Sequence, residues 1–109
     1  MALYMTQFSY TAQAWAALAK QPEDREKVLG GLIERMGGRQ LSFYYSFGEH
    51  DGLSIYEAPD DASAAAIVVA AIAPGHVKDI KTTKLLSTQD AMDVMRKAGG
   101  ATYRAPAGS

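Results

Sequence analysis

Cysteine is absent from the chain, which removes disulfides, thiolate nucleophiles and zinc–thiolate centres from consideration. A basic cluster is missing too. Lysine and arginine total 11 against 12 aspartates and glutamates, for a formal net charge of −1, so no nucleic-acid partner is expected. Long apolar runs are also lacking. The most apolar stretch, Ala62–Ala73, falls well short of the ~20 residues that cross a bilayer. The opening "MALYMTQFSYTAQAW" does not read as a basic-then-apolar signal, so a soluble, cytoplasmic protein without a membrane partner is expected. Nothing resembles GxGxxG or a P-loop, and no serine occupies a nucleophile elbow. What remains is a chain of 109 residues, 48% hydrophobic and 21% charged. Those values describe one small globular domain, for which oligomerisation is a natural supplement to a modest core.

Patterning supplies the elements. Residues 2–10, "ALYMTQFSY", read as a strand. Thr11 caps a short helix, "AQAWAALAK", with Ala14, Trp15 and Leu18 on one face. Pro22 suits the first turn of a second helical stretch, whose stripe Val28, Leu29, Leu32, Ile33 and Met36 ends at Gly37–Gly38. Leu41–Phe47 and Leu53–Ala58 form a hairpin around Gly48–Gly52. Pro59–Asp61 open a further helix through Ala73, residues 76–86 form the last strand, and "STQDAMDVMRKAGG" the last helix. One domain over residues 1–98 is expected, with residues 99–109 as a flexible C-terminal tail. The order β-α-β-β-α-β-α predicts an α+β, ferredoxin-like fold. Its four-stranded antiparallel sheet has order 4-1-3-2, with helices on one face.

The segments "GGR…FYYSFGEHDGLSIYEAPDD" and "VKDIKTTKLLS" resemble the GYD-domain family of small bacterial and archaeal proteins. The likeness runs over residues 3–97. Gly48 and Asp51 match the family, which usually has tyrosine where this chain has His50. The family is in turn similar to the dimeric α/β-barrel group, in which two such sheets face each other around a pocket. That group includes cofactor-free monooxygenases, lactone isomerases, haem enzymes and ligand-binding domains. The resemblance therefore implies a fold and a homodimeric α/β barrel more than an activity.

Candidate site residues follow from the hairpin. If Phe47 pairs with Leu53, then Phe43, Tyr45, Phe47, Leu53 and Ile55 lie under the helices. Ser42, Tyr44, Ser46, Ser54 and Tyr56 then line the free face. Tyr4, Thr6, Phe8 and Tyr10 continue that face on the first strand, with Leu3 and Met5 on the helix side. Exposed aromatics on a free sheet face call for a covering partner, here a second copy of the chain. Topology gathers Tyr10, Thr11, Trp15, the Gly48–Gly52 turn and His76 on one rim. A metal site from His50, His76 and Asp51 is not expected, because the two histidines sit on strands roughly 10–14 Å apart at about 4.8 Å per strand. Asp51 is expected to accept turn amide hydrogens. His50 is the candidate proton-transfer residue. Tyr4, Tyr10, Trp15, Tyr44, Ser46, Ser54, Tyr56 and His76 are the candidate ligand-binding set, with no metal and no cofactor.

Three functions stay open on these residues. One is a homo-oligomer binding a small molecule between facing sheets. Another is a cofactor-independent oxygenase- or isomerase-like enzyme using His50. The last is an assembly protein without a ligand.

Overall fold

A computed structural model of the chain describes residues 1–108; Ser109, the last residue of the expected tail, lies outside them. The elements run β1 (Ala2–Tyr10), α1 (Ala12–Lys20), α2 (Arg25–Arg35), β2 (Arg39–Tyr45), β3 (Gly52–Ala58), α3 (Asp61–Ile72), β4 (Val77–Leu85) and α4 (Thr88–Gly99). All strand pairs are antiparallel, and the sheet order is β2-β3-β1-β4. Read from the other edge, this is the expected 4-1-3-2 order of the ferredoxin-like fold.

Local chemistry sets the helix boundaries. Thr11, Asp24, Asp60 and Ser87 each accept a hydrogen bond from an amide in the first turn of the helix they precede, a cap worth about 1 kcal/mol. Asp24 starts α2 later than proline placement suggests, so Pro22 and Glu23 lie in the connection from α1. The other end of α2 is a Schellman motif. Gly37 is left-handed at φ 85°, its amide donates to Glu34 O, and the Gly38 amide donates to Ile33 O. Gly38 is also sterically fixed, since a Cβ there would collide with the Glu57 carbonyl oxygen.

The side-chain faces of β1 and β3 are the reverse of the expectation. The ladder pairs Tyr45 with Gly52, Tyr44 with Leu53 and Phe43 with Ser54, where Tyr45 opposite Ile55 was expected. Ser46 and Phe47 leave the strand, and both amides donate to Asp51 O. Phe47 takes φ 50°, and Gly52 admits the Phe8 ring where a Cβ would lie 2.5 Å from it. The register differs by three residues, an odd number, which exchanges the faces of β3. Tyr4, Thr6, Phe8, Tyr10, Ser54 and Tyr56 consequently lie under the helices and are buried. Leu3, Met5, Leu53 and Ile55 take the free face and stay half-buried. On β2 the expected faces hold, with Phe43 and Tyr45 beside Phe8 and Tyr44 exposed.

Burying a hydroxyl-rich face is tolerable only if each hydroxyl finds a partner, because an unpaired one costs ~1–3 kcal/mol. Each does. Tyr4 Oη donates to Asp61 Oδ1 at 2.5 Å, Tyr56 Oη and Thr6 Oγ1 are 2.7 Å apart, and Ser54 Oγ donates to Gln40 Oε1 at 2.8 Å. Among the described residues no buried side-chain nitrogen or oxygen lacks a partner. The tyrosine rings then act as large apolar bodies. Tyr4 and Tyr56 stack with centroids 5.8 Å apart and close the core with Ile33 from α2 and with Ala64 and Ile67 from α3.

α4 is an exception to this packing. Like α1 it buries none of its residues, but here apolar Met92, Val94 and Met95 are left exposed. The radius of gyration, 17.8 Å, exceeds the ~13 Å of a compact chain of about this length, in keeping with an extended C-terminal segment.

Candidate functional site

Between the helix-facing side of the sheet and helices α2 and α3 lies an open cavity of about 340 Å³. Phe8, Phe43 and Tyr56 from the sheet, Leu29 and Leu32 from α2, and Ile67 from α3 give it apolar walls. Small residues make the room: Ala70 and Ala71 of α3 line it where longer side chains would fill it. A volume in this range and an apolar lining with a few convergent polar groups are the ordinary attributes of a small-molecule site.

Three polar groups gather at the end where β1 finishes and β4 begins. Tyr10, Arg25 and His76 all line the cavity there. The junction is fixed by the backbone, as the Thr11 amide donates to His76 O at 2.9 Å. Arg25 Nη2 lies 3.4 Å from His76 Nε2, so the guanidinium donates to an imidazole whose Nε2 is unprotonated. Burial, and secondarily the Arg25 charge, hold the His76 pKa below its ordinary value. At neutral pH the ring is therefore uncharged, which suits that contact. Burial first, and then the neighbouring Tyr45, push the Tyr10 hydroxyl well above the usual tyrosine range, with Arg25 opposing the rise. Tyr10 is accordingly a neutral hydrogen-bonding group at any physiological pH.

A chain of hydroxyls crosses the cavity floor. Tyr56 Oη, Thr6 Oγ1 and Thr82 Oγ1 are linked at 2.7 and 2.8 Å. Three hydroxyl hydrogens serve two bonds, so one remains for a further acceptor. Tyr56 and Thr6 line the cavity, while Thr82 opens onto a shallow groove between α3 and β4.

The predicted site residues are thus divided. Tyr10, Tyr56 and His76 meet in this cavity, on the helix side of the sheet and not between facing sheets. Ser54 is wholly buried and committed to Gln40. Tyr4 is held by Asp61, and Tyr44 points from the free face with 66% of its surface exposed. Ser46 donates to the His50 carbonyl within the hairpin loop. Trp15 packs edge-on to Tyr10 and donates from Nε1 to Asp51 Oδ2 at 2.9 Å. Asp51 also accepts the Tyr10 amide through the same oxygen. It ties the loop to the β1–α1 junction, a longer reach than the turn amides expected of it. His50 lies outside the cavity, with Nε2 3.6 Å from Asp79 Oδ2 and its side chain 10% exposed. Among the described residues no three histidine, aspartate or glutamate side chains converge in a way that could hold a metal ion, and no helix is long and apolar enough to cross a membrane.

Arg25 and Arg35 were not anticipated. Arg25 opens the helix that descends from the rim holding Tyr10 and His76, so the topological argument applied to the histidines also reaches it. Nothing in its local sequence singles it out.

The chain belongs to the GYD-domain family, whose model matches residues 4–95. Among solved structures it is similar to TTHA0845 from Thermus thermophilus, at 15% identity and a TM-score of 0.53 over 81% of this chain and 96% of that one. It is likewise similar to MtbAldR, at 14% identity and a TM-score of 0.54 over 79% of this chain. The match spans only 52% of MtbAldR. At these identities the likeness is one of fold. No curated protein matches the chain.

Proposed function

We propose that this protein binds a small, largely apolar molecule in the cavity between the sheet and helices α2 and α3. The observation that carries this reading is the cavity itself, about 340 Å³ with apolar walls and a polar corner at one end. An apolar ligand filling such a space gains roughly 25 cal/mol per Å² of apolar surface removed from water, enough to sustain binding after the cost of immobilisation. The test is calorimetry with phenylbutanol, an uncharged probe with one aromatic ring. Saturable binding in wild type, abolished by filling the cavity with Ala71→Phe, supports the reading; binding that survives the filled cavity contradicts it.

A second copy of the chain is the proposed partner, placed on the free face of the sheet. Half-buried Leu3, Met5, Leu53, Ile55 and Leu85 give that face an apolar strip that a second sheet would cover. An enzyme of the proton-transfer kind is the alternative, favoured by the Tyr10–Arg25–His76 corner. His76 takes over there as candidate base, since His50 faces Asp79. Arg25 disfavours the imidazolium, so His76 is a weak base and a binding role is the better fit.

A further inference from the structure

We infer that the cavity's ligand carries a single carboxylate, held by Arg25 at the polar corner, with the rest of the molecule apolar. This inference rests on the cavity reading above. The ionised side chains lining the cavity are Arg25 and Arg35, and no aspartate or glutamate lines it. The two arginines stand about 15 Å apart along α2 at 1.5 Å per residue, so they do not form one two-charge pocket. The Arg25 end adds Tyr10 and His76, whereas the floor hydroxyls of Tyr56 and Thr6 are hydrogen-bonded to each other.

Arg25 is well placed for the part. Its side chain is 24% exposed, so its charge is less screened than that of a surface arginine. Nη1 donates to Glu23 Oε1 at 3.0 Å, and Nη2 contacts His76. A guanidinium has five N–H donors, and three remain after these two contacts. Glu23 approaches from the solvent side with 57% of its side chain exposed, where an ion pair is worth little. A carboxylate within the cavity would meet the same cation in drier surroundings and accept a forked pair of bonds. The neutral His76 and the protonated Tyr10 add hydrogen-bonding capacity without further charge.

The corner is less suited to a phosphate. No glycine-rich loop borders it, and the Asp24 carboxylate already takes the Lys27 amide at the start of α2. One guanidinium would face a dianion. A monocarboxylate with an aromatic or branched apolar body matches both the charge and the walls.

The experiment compares phenylbutanoate with phenylbutanol by calorimetry at low ionic strength, in wild type and Arg25→Gln. The expected result is roughly ten-fold tighter binding of the acid in wild type, with the acid-over-alcohol preference lost in Arg25→Gln, which still binds the alcohol. Retained alcohol binding also shows that the variant is folded. Equal affinities for acid and alcohol in wild type would overturn the carboxylate assignment and leave the cavity reading standing. An acid preference that persists in Arg25→Gln would likewise overturn it. Failure of both probes to bind would sink the cavity reading and the carboxylate with it.

Discussion

Asp51 and His50 stand side by side in the sequence and part company in the structure. Asp51 Oδ2 holds the Tyr10 amide and the Trp15 indole, joining the hairpin loop to the end of β1. Charge-assisted bonds of this kind contribute ~1.5–3 kcal/mol each, and Asp51→Ala leaves both donors short of a partner. We expect it to lower stability in urea unfolding by ~2–4 kcal/mol and to change Trp15 fluorescence, the chain's single tryptophan signal. His50→Ala removes a group outside the cavity, so phenylbutanol affinity is expected to stay at the wild-type value; a marked loss in calorimetry would place His50 in the site after all. His76 gives a pH signature. Its folded pKa is depressed by burial and by Arg25, so below about pH 6.5 the unfolded chain takes up a proton that the folded chain resists. Stability should fall as pH drops from about 6.5 toward the folded pKa, and His76→Gln should remove that contribution in chemical denaturation followed across pH.

Elements were legible where their signals are local. The Thr11 cap, the Gly37–Gly38 stop and the strand order follow from residues close in sequence or from the rules of connection, whereas the start of α2 at Asp24 was placed too early, at Pro22. Register was not legible, because it depends on where the ladder ends, and that is decided by hydrogen bonds from Ser46 and Phe47 to Asp51 and by the Phe8 ring over Gly52. Polarity alone also misplaces tyrosine and threonine, which bury well once a cross-strand hydroxyl satisfies them. The site inherited this error. Tyr10, Tyr56 and His76 were identified as side chains, but their shared cavity lies on the opposite side of the sheet. Arg25 went unnoticed because its place at the cavity corner arises from tertiary packing. A direct check on the α2–β2 connection is Gly38→Ala. With the Glu57 carbonyl in the path of the new Cβ, the backbone must shift, and a loss of ~1–3 kcal/mol is expected in thermal or urea unfolding. A neutral result would show that this approach is loose.

Among the described residues, the apolar strip on the free sheet face and the exposed stripe of α4 lack a covering partner. The proposed homodimer covers the first, and sedimentation at micromolar concentration should report a dimer that Ile55→Lys converts to monomer; a wild-type monomer would contradict this. The proposed ligand site lies on the other side of the sheet, so binding there should survive that substitution. Methyl-resolved NMR titration with phenylbutanol separates the two faces and tests the cavity most directly. Shifts concentrated at Leu29, Leu32, Ile67 and Ile80, which line the cavity, are expected. Shifts confined to Leu3, Leu53, Ile55 and Leu85 would contradict this and return the ligand to the space between facing sheets.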